Sequence, residues 1–74
     1  MTRRANGEAI RAIREALGIR QDAMAARVGI TKSQLSKVEH GANGASPEVM
    51  RKLADELSVT LDAITYPAPA AVTA

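Results

Sequence analysis

Cysteine is absent from the 74-residue chain, so neither a disulfide nor a thiolate-held metal can staple it. Histidine occurs once, at His40, and one imidazole does not build a metal site by itself. Aromatic residues are reduced to Tyr66. No apolar run approaches the ~20 residues that cross a bilayer. Met1-Thr2-Arg3-Arg4 lacks the apolar stretch of a secretory signal. These absences predict one soluble domain, cytoplasmic, with no membrane partner. A chain this short buries only about 60% of its unfolded surface, so its core is modest. Enzyme chemistry also lacks its usual parts. There is no cysteine nucleophile, no histidine–carboxylate–serine pattern, no metal-ligand cluster and no phosphate-cradling glycine loop. The expectation is a non-enzyme without cofactor or metal.

What is present favours helix. Alanine fills 15 of 74 positions, and alanine and leucine outnumber the β-branched and aromatic residues that favour strand. The net charge is +2, unevenly spread. Residues 1–37 carry eight Lys/Arg against Glu8, Glu15 and Asp22, whereas residues 38–74 carry Arg51 and Lys52 against five carboxylates. A basic half beside an acidic half is compatible with a polyanion-facing surface and equally with solvated helices.

Residues 1–5 read as a basic arm. Asn6 then caps a first helix in which Ile10, Ile13 and Leu17 share a face, and Gly18 ends it. A second helix runs from about Arg20 to Val28, with Met24, Ala25 and Val28 inward and Gly29 as its stop; Arg20 is a poor cap. Thr31 and Gln34 form a capping box for a third helix, residues 31–40. Its apolar positions are Leu35 and Val38, and its remaining face is polar. A glycine-bearing loop leads to Ser46-Pro47-Glu48, where Ser46 caps and Pro47 suits the first helical position. Met50, Leu53 and Leu57 give this fourth helix its stripe. Thr60 caps a short fifth helix with Leu61 and Ile64, and residues 66–74 read as a Pro/Ala-rich tail. The predicted fold is all-α, five helices and no strand. Its expected core joins Ile10, Ile13, Leu17, Met24, Val28, Leu35, Val38, Leu53 and Leu57.

The pair of short helices joined by Gly29-Ile30-Thr31 is the informative feature. Glycine permits a sharp turn between them, and the second helix presents its N-terminus and polar face outward. That geometry suits entry into a DNA major groove.

Residues 6–65 resemble the lambda-repressor-like helix-turn-helix family of the Xre type, without gaps. The matching words are Ile10-Arg11-Ala12-Ile13-Arg14-Glu15-Ala16-Leu17-Gly18-Ile19, Gln21-Asp22-Ala23-Met24-Ala25 and the whole stretch from Val28 to Gly41. Leu53-Ala54-Asp55-Glu56-Leu57 and Val59-Thr60-Leu61-Asp62-Ala63-Ile64 complete them. The family often has serine or threonine where Arg20 stands and proline where Ala45 stands; here the proline is displaced to Pro47.

The resemblance implies roles. Gln21 would contact a phosphate and brace the third helix. Thr31, Lys32, Ser33, Gln34, Ser36 and Lys37 would face DNA. Lysine donates to guanine, a serine hydroxyl to several bases, and glutamine can read adenine unless its capping role claims it. His40 and Asn43 would meet the backbone where the chain leaves that helix, His40 more strongly when protonated. Arg3 and Arg4 would add phosphate contacts from the arm. Arg14 and Glu39 would form a structural ion pair between the first and third helices.

The implied function is a sequence-specific regulator of transcription, a bacterial or phage repressor, bound to double-stranded DNA at an inverted repeat. The alternative is a protein-binding adaptor or antitoxin-like partner on the same fold. No sensing domain accompanies the helices, so no small-molecule ligand is expected. A weak homodimer in solution, or a monomer that pairs on DNA, is expected, with Val59, Leu61, Ile64 and Tyr66 as its surface.

Overall fold

The structure, a computed structural model, describes residues 4–66. The order of elements is β1 (Arg4–Ala5), α1 (Gly7–Ala16), α2 (Gln21–Val28), α3 (Lys32–Glu39), α4 (Pro47–Leu57), a 3₁₀ turn (Leu61–Ile64) and β2 (Thr65–Tyr66). Asn6 Oδ1 accepts from Ala9 N at 3.1 Å and starts α1. Arg20 occupies the cap of α2 without a side-chain hydrogen bond. Gly29, at φ 80°, ends α2 in the left-handed region that glycine adopts without a Cβ penalty. The capping box of α3 is complete, and Ser46 Oγ accepts from Val49 N at 3.2 Å to start α4.

One apolar cluster holds the four helices and the 3₁₀ turn together. Ile10, Met24, Val28, Leu35, Leu53, Leu57 and Ile64 are its most deeply buried large members, with Ala25, Val38, Met50 and Ala54 around them. Ile13 is half-buried against it.

Three expectations need correction. The fifth element is a 3₁₀ turn of four residues, without a cap from Thr60, rather than an α-helix. A two-stranded antiparallel ladder is present, with Arg4 opposite Tyr66 and Ala5 opposite Thr65. Asn6 N donates to Ile64 O at 2.8 Å and continues it. The arm and the tail thus give up Arg4, Ala5 and Tyr66 to the folded domain; Arg3 and the rest of the tail lie outside the described residues. Leu17, expected in the core, is 53% exposed. The chain leaves α1 at this residue, and the turn through Gly18 (φ 72°) carries Ile19 onto the core in its place.

The core assignment has a direct test. Leu53→Ala removes a fully buried side chain and should cost about 2–5 kcal/mol. Leu17→Ala should stay within about 0.5 kcal/mol. Urea unfolding of both variants checks this, and equal midpoint shifts would contradict the burial of one or the other.

Candidate nucleic-acid interface

The exposed side of α3 follows from helix geometry. Lys32, Ser33, Ser36, Lys37 and His40 recur with helical spacing along one face. Lys32, Ser33, Lys37 and His40 are exposed and Ser36 is half-buried, while Leu35, Val38 and Glu39 point into the molecule. Among the described residues no carboxylate pairs with Lys32 or Lys37. Both ammonium groups are therefore available to an outside anion.

Gln34 serves the cap of α3. Its Oε1 accepts from Thr31 N at 2.8 Å, and Thr31 Oγ1 accepts from Gln34 N at 3.0 Å. A two-point contact with adenine needs both ends of the amide. The capping box uses one lone pair of Oε1, so Gln34 and Thr31 set where α3 begins without excluding that contact.

Behind the exposed face lies a buried charge network. Arg14 Nε donates to Glu39 Oε2 at 2.7 Å and Arg14 Nη2 to Glu39 Oε1 at 3.2 Å, a two-point pair. The two side chains are 9% and 1% exposed. Arg14 Nη1 donates to Ile19 O at 2.8 Å. Gln21 Nε2 donates to Glu39 Oε1 at 3.0 Å. Glu39, on α3, is thus held by α1 through Arg14 and by α2 through Gln21. The Arg14–Glu39 pair and a bracing Gln21 are what the resemblance implies; that Gln21 braces through the same carboxylate, and that Ile19 supplies a carbonyl, is visible only in the fold. No sequence spacing encodes either contact.

His40, Asn43 and Arg4 line one cleft of about 510 Å³ beside the end of α3. His40 Nδ1 lies 2.7 Å from Ser36 O, an arrangement in which a proton on Nδ1 donates to the carbonyl. The Arg4 guanidinium stands 5.6 Å from the centre of the Tyr66 ring, a cation–π distance. The structure thus gathers the candidate residues into the α3 face and this cleft; Gln21 stands behind them, half-buried.

Removing the Glu39 carboxylate would strand a buried guanidinium. Glu39→Ala should cost about 3–5 kcal/mol, and Glu48→Ala, at an exposed site, under about 1 kcal/mol. Thermal unfolding of the two variants checks it. Equal melting temperatures would mean that the Arg14–Glu39 pair does not form in solution.

The architecture has known counterparts. A helix-turn-helix family model matches residues 10–64. The P22 c2 repressor, solved in complex with the synthetic operator 9T, superposes with a TM-score of 0.74 at 33% identity, over 78% of this chain and 88% of that one. The restriction-modification controller protein C.AhdI from Aeromonas hydrophila gives 0.72 at 30% identity, over 77% and 86%. SinR, a master regulator for biofilm formation solved in complex with DNA, gives 0.69 at 27% identity, over 74% and 89%. Comparison with curated protein sequences finds no match. The family match over most of the chain, on a fold whose second and third helices meet through Gly29, leads to one conclusion: this chain belongs to the helix-turn-helix family, in its repressor-like form.

Proposed function

We propose that the chain is a sequence-specific regulator of transcription, a bacterial or phage repressor, that binds double-stranded DNA and acts by binding rather than by catalysis. The observation that carries this reading is the α3 face: Lys32 and Lys37, which no carboxylate among the described residues pairs, with Ser33 between them, on a helix anchored from behind by Glu39. Rigid presentation matters because base reading depends on hydrogen-bond geometry, whereas phosphate attraction tolerates play. That the P22 c2 repressor and SinR were each solved on DNA supports the assignment.

In this reading Lys32 and Ser33 contact base edges in the major groove. Lys37 and Ser36 meet bases or phosphate further along. His40, Asn43 and Arg4 meet the backbone from the cleft, and Arg3 adds charge ahead of Arg4. Gln21 holds α3 and offers its amide to a phosphate.

One α3 reads only a few base pairs. Two copies related by a two-fold axis would read an inverted repeat with half-sites one turn apart, ~34–36 Å. The surface expected for that dimer is reduced by the fold. Ile64 is fully buried, and Val59 and Leu61 pack half-buried on the same core, leaving Tyr66 at 41% exposure. The 3₁₀ turn sits against α1 and α4, which is why it consumes its own apolar groups. So little apolar surface among the described residues of this region favours a dimer that forms on DNA over a stable one in solution.

Selection from a random duplex pool should enrich a palindrome. On that operator Lys32→Ala should cost about 1–3 kcal/mol and relax preference at one base position. Unchanged affinity would remove α3 as the reading helix. Sedimentation should give a monomer alone and two chains per full palindrome; one chain at saturation would exclude the two-fold arrangement.

A further inference from the structure

Gly7 is the first residue of α1, and it is buried. Its φ is not among the positive ones, so the backbone there does not require glycine. Space does. A Cβ on residue 7 would fall 2.5 Å from Glu39 O and 2.7 Å from Glu39 C, and closer still to Val38 O. Cβ atoms essentially never approach other atoms within 3.0 Å. The obstacle is backbone, which cannot swing aside as a flexible side chain would. The start of α1 therefore lies directly against the last carbonyls of α3. The positive end of one helix dipole meets the negative end of the other, a favourable arrangement.

Two anchors make this crossing stiff. Asn6, the preceding residue, is tied to Ile64 O through its N–H and to Ala9 N through its side chain. Arg14, two turns further along α1, grips the Glu39 carboxylate. So α1 holds Glu39 twice, at the main chain by contact with Gly7 and at the carboxylate by Arg14. Residue 7 cannot retreat without breaking the ladder. A methyl group there would instead push the carbonyl end of α3 outward, pivoting it about the ion pair.

We infer that Gly7 is a positioning residue for DNA recognition: the missing side chain sets how closely and at what tilt α3 lies on α1, and hence where Lys32 and Ser33 point. The inference rests on α3 being the reading helix. It concerns geometry and not phosphate attraction, so its mark is lost discrimination with retained general binding.

The test uses the full chain, Gly7→Ala, and Met50→Ala as a control that perturbs the core from α4. Each is measured at a temperature where circular dichroism shows it folded. Dissociation constants are taken for the selected operator and for a scrambled duplex at the same salt concentration. Gly7→Ala should lower the operator-to-scrambled ratio about tenfold, the worth of one good base contact, with little change for the scrambled duplex. Met50→Ala should keep the wild-type ratio. Residual dipolar couplings of the DNA-free proteins should show α3 reoriented against α1 in Gly7→Ala only. An unchanged ratio, an equal fall in Met50→Ala, unchanged couplings, or a Gly7→Ala chain that does not fold at any temperature would each overturn the positioning role. If the wild-type chain fails to distinguish operator from scrambled duplex, the DNA reading falls and the positioning role with it. The couplings then still tell whether Gly7 orients α3.

Discussion

Glu39 is a carboxylate with almost no contact with water, and a charge so placed must be matched where it sits. Arg14 matches it with two hydrogen bonds and Gln21 adds a third. Those bonds come from two different helices, so satisfying one carboxylate fixes α1, α2 and α3 relative to one another. Apolar packing alone would not do this as sharply. Leucine and valine surfaces tolerate small slides, whereas a two-point guanidinium–carboxylate pair has one good geometry. The net stability of such a pair against an apolar replacement is small, since desolvation offsets attraction. Its consequence is orientation.

That consequence matters because α3 has little else to hold it. The helix has eight residues, a length at which an isolated helix is marginal in water. Only Leu35 and Val38 anchor it to the apolar core. The narrow stripe is the condition for the wide polar face opposite. The capping box fixes its start, the Glu39 network and the contact with Gly7 fix its end, and the face between is left to solvent or ligand.

The ends of the domain are closed by the same economy of contact. Two residues at each end pair across the sheet, and Arg4 stacks over Tyr66. This brings Arg4 beside the cleft at the end of α3, which His40 and Asn43 also line. A segment that reads as a loose basic arm thus places one of its cations at a defined position.

The four α-helices, the caps Asn6, Thr31 and Ser46 and the polar face of α3 were legible from residue order, because each depends on neighbours three or four positions apart. Thr31 with Gln34, Ser46 with Pro47 and the spacing of Leu53 and Leu57 are signals of that kind. The Arg14–Glu39 pair came from resemblance, not from spacing, since the two residues meet only after α1 and α3 cross. Contacts set by the crossing itself left no local trace: Gln21 on Glu39, the ladder joining Arg4 to Tyr66, and the burial of Ile64 by its own core. Leu17 has the right period for the core but sits where the helix has already ended, so the turn at Gly18 decided its exposure. Gly7 is the extreme case. Its backbone is ordinary, and only the passage of Val38 and Glu39 beside it makes a side chain impossible. Local hydrogen bonding and periodicity are written in the chain; which surfaces touch is settled by packing between elements far apart in sequence.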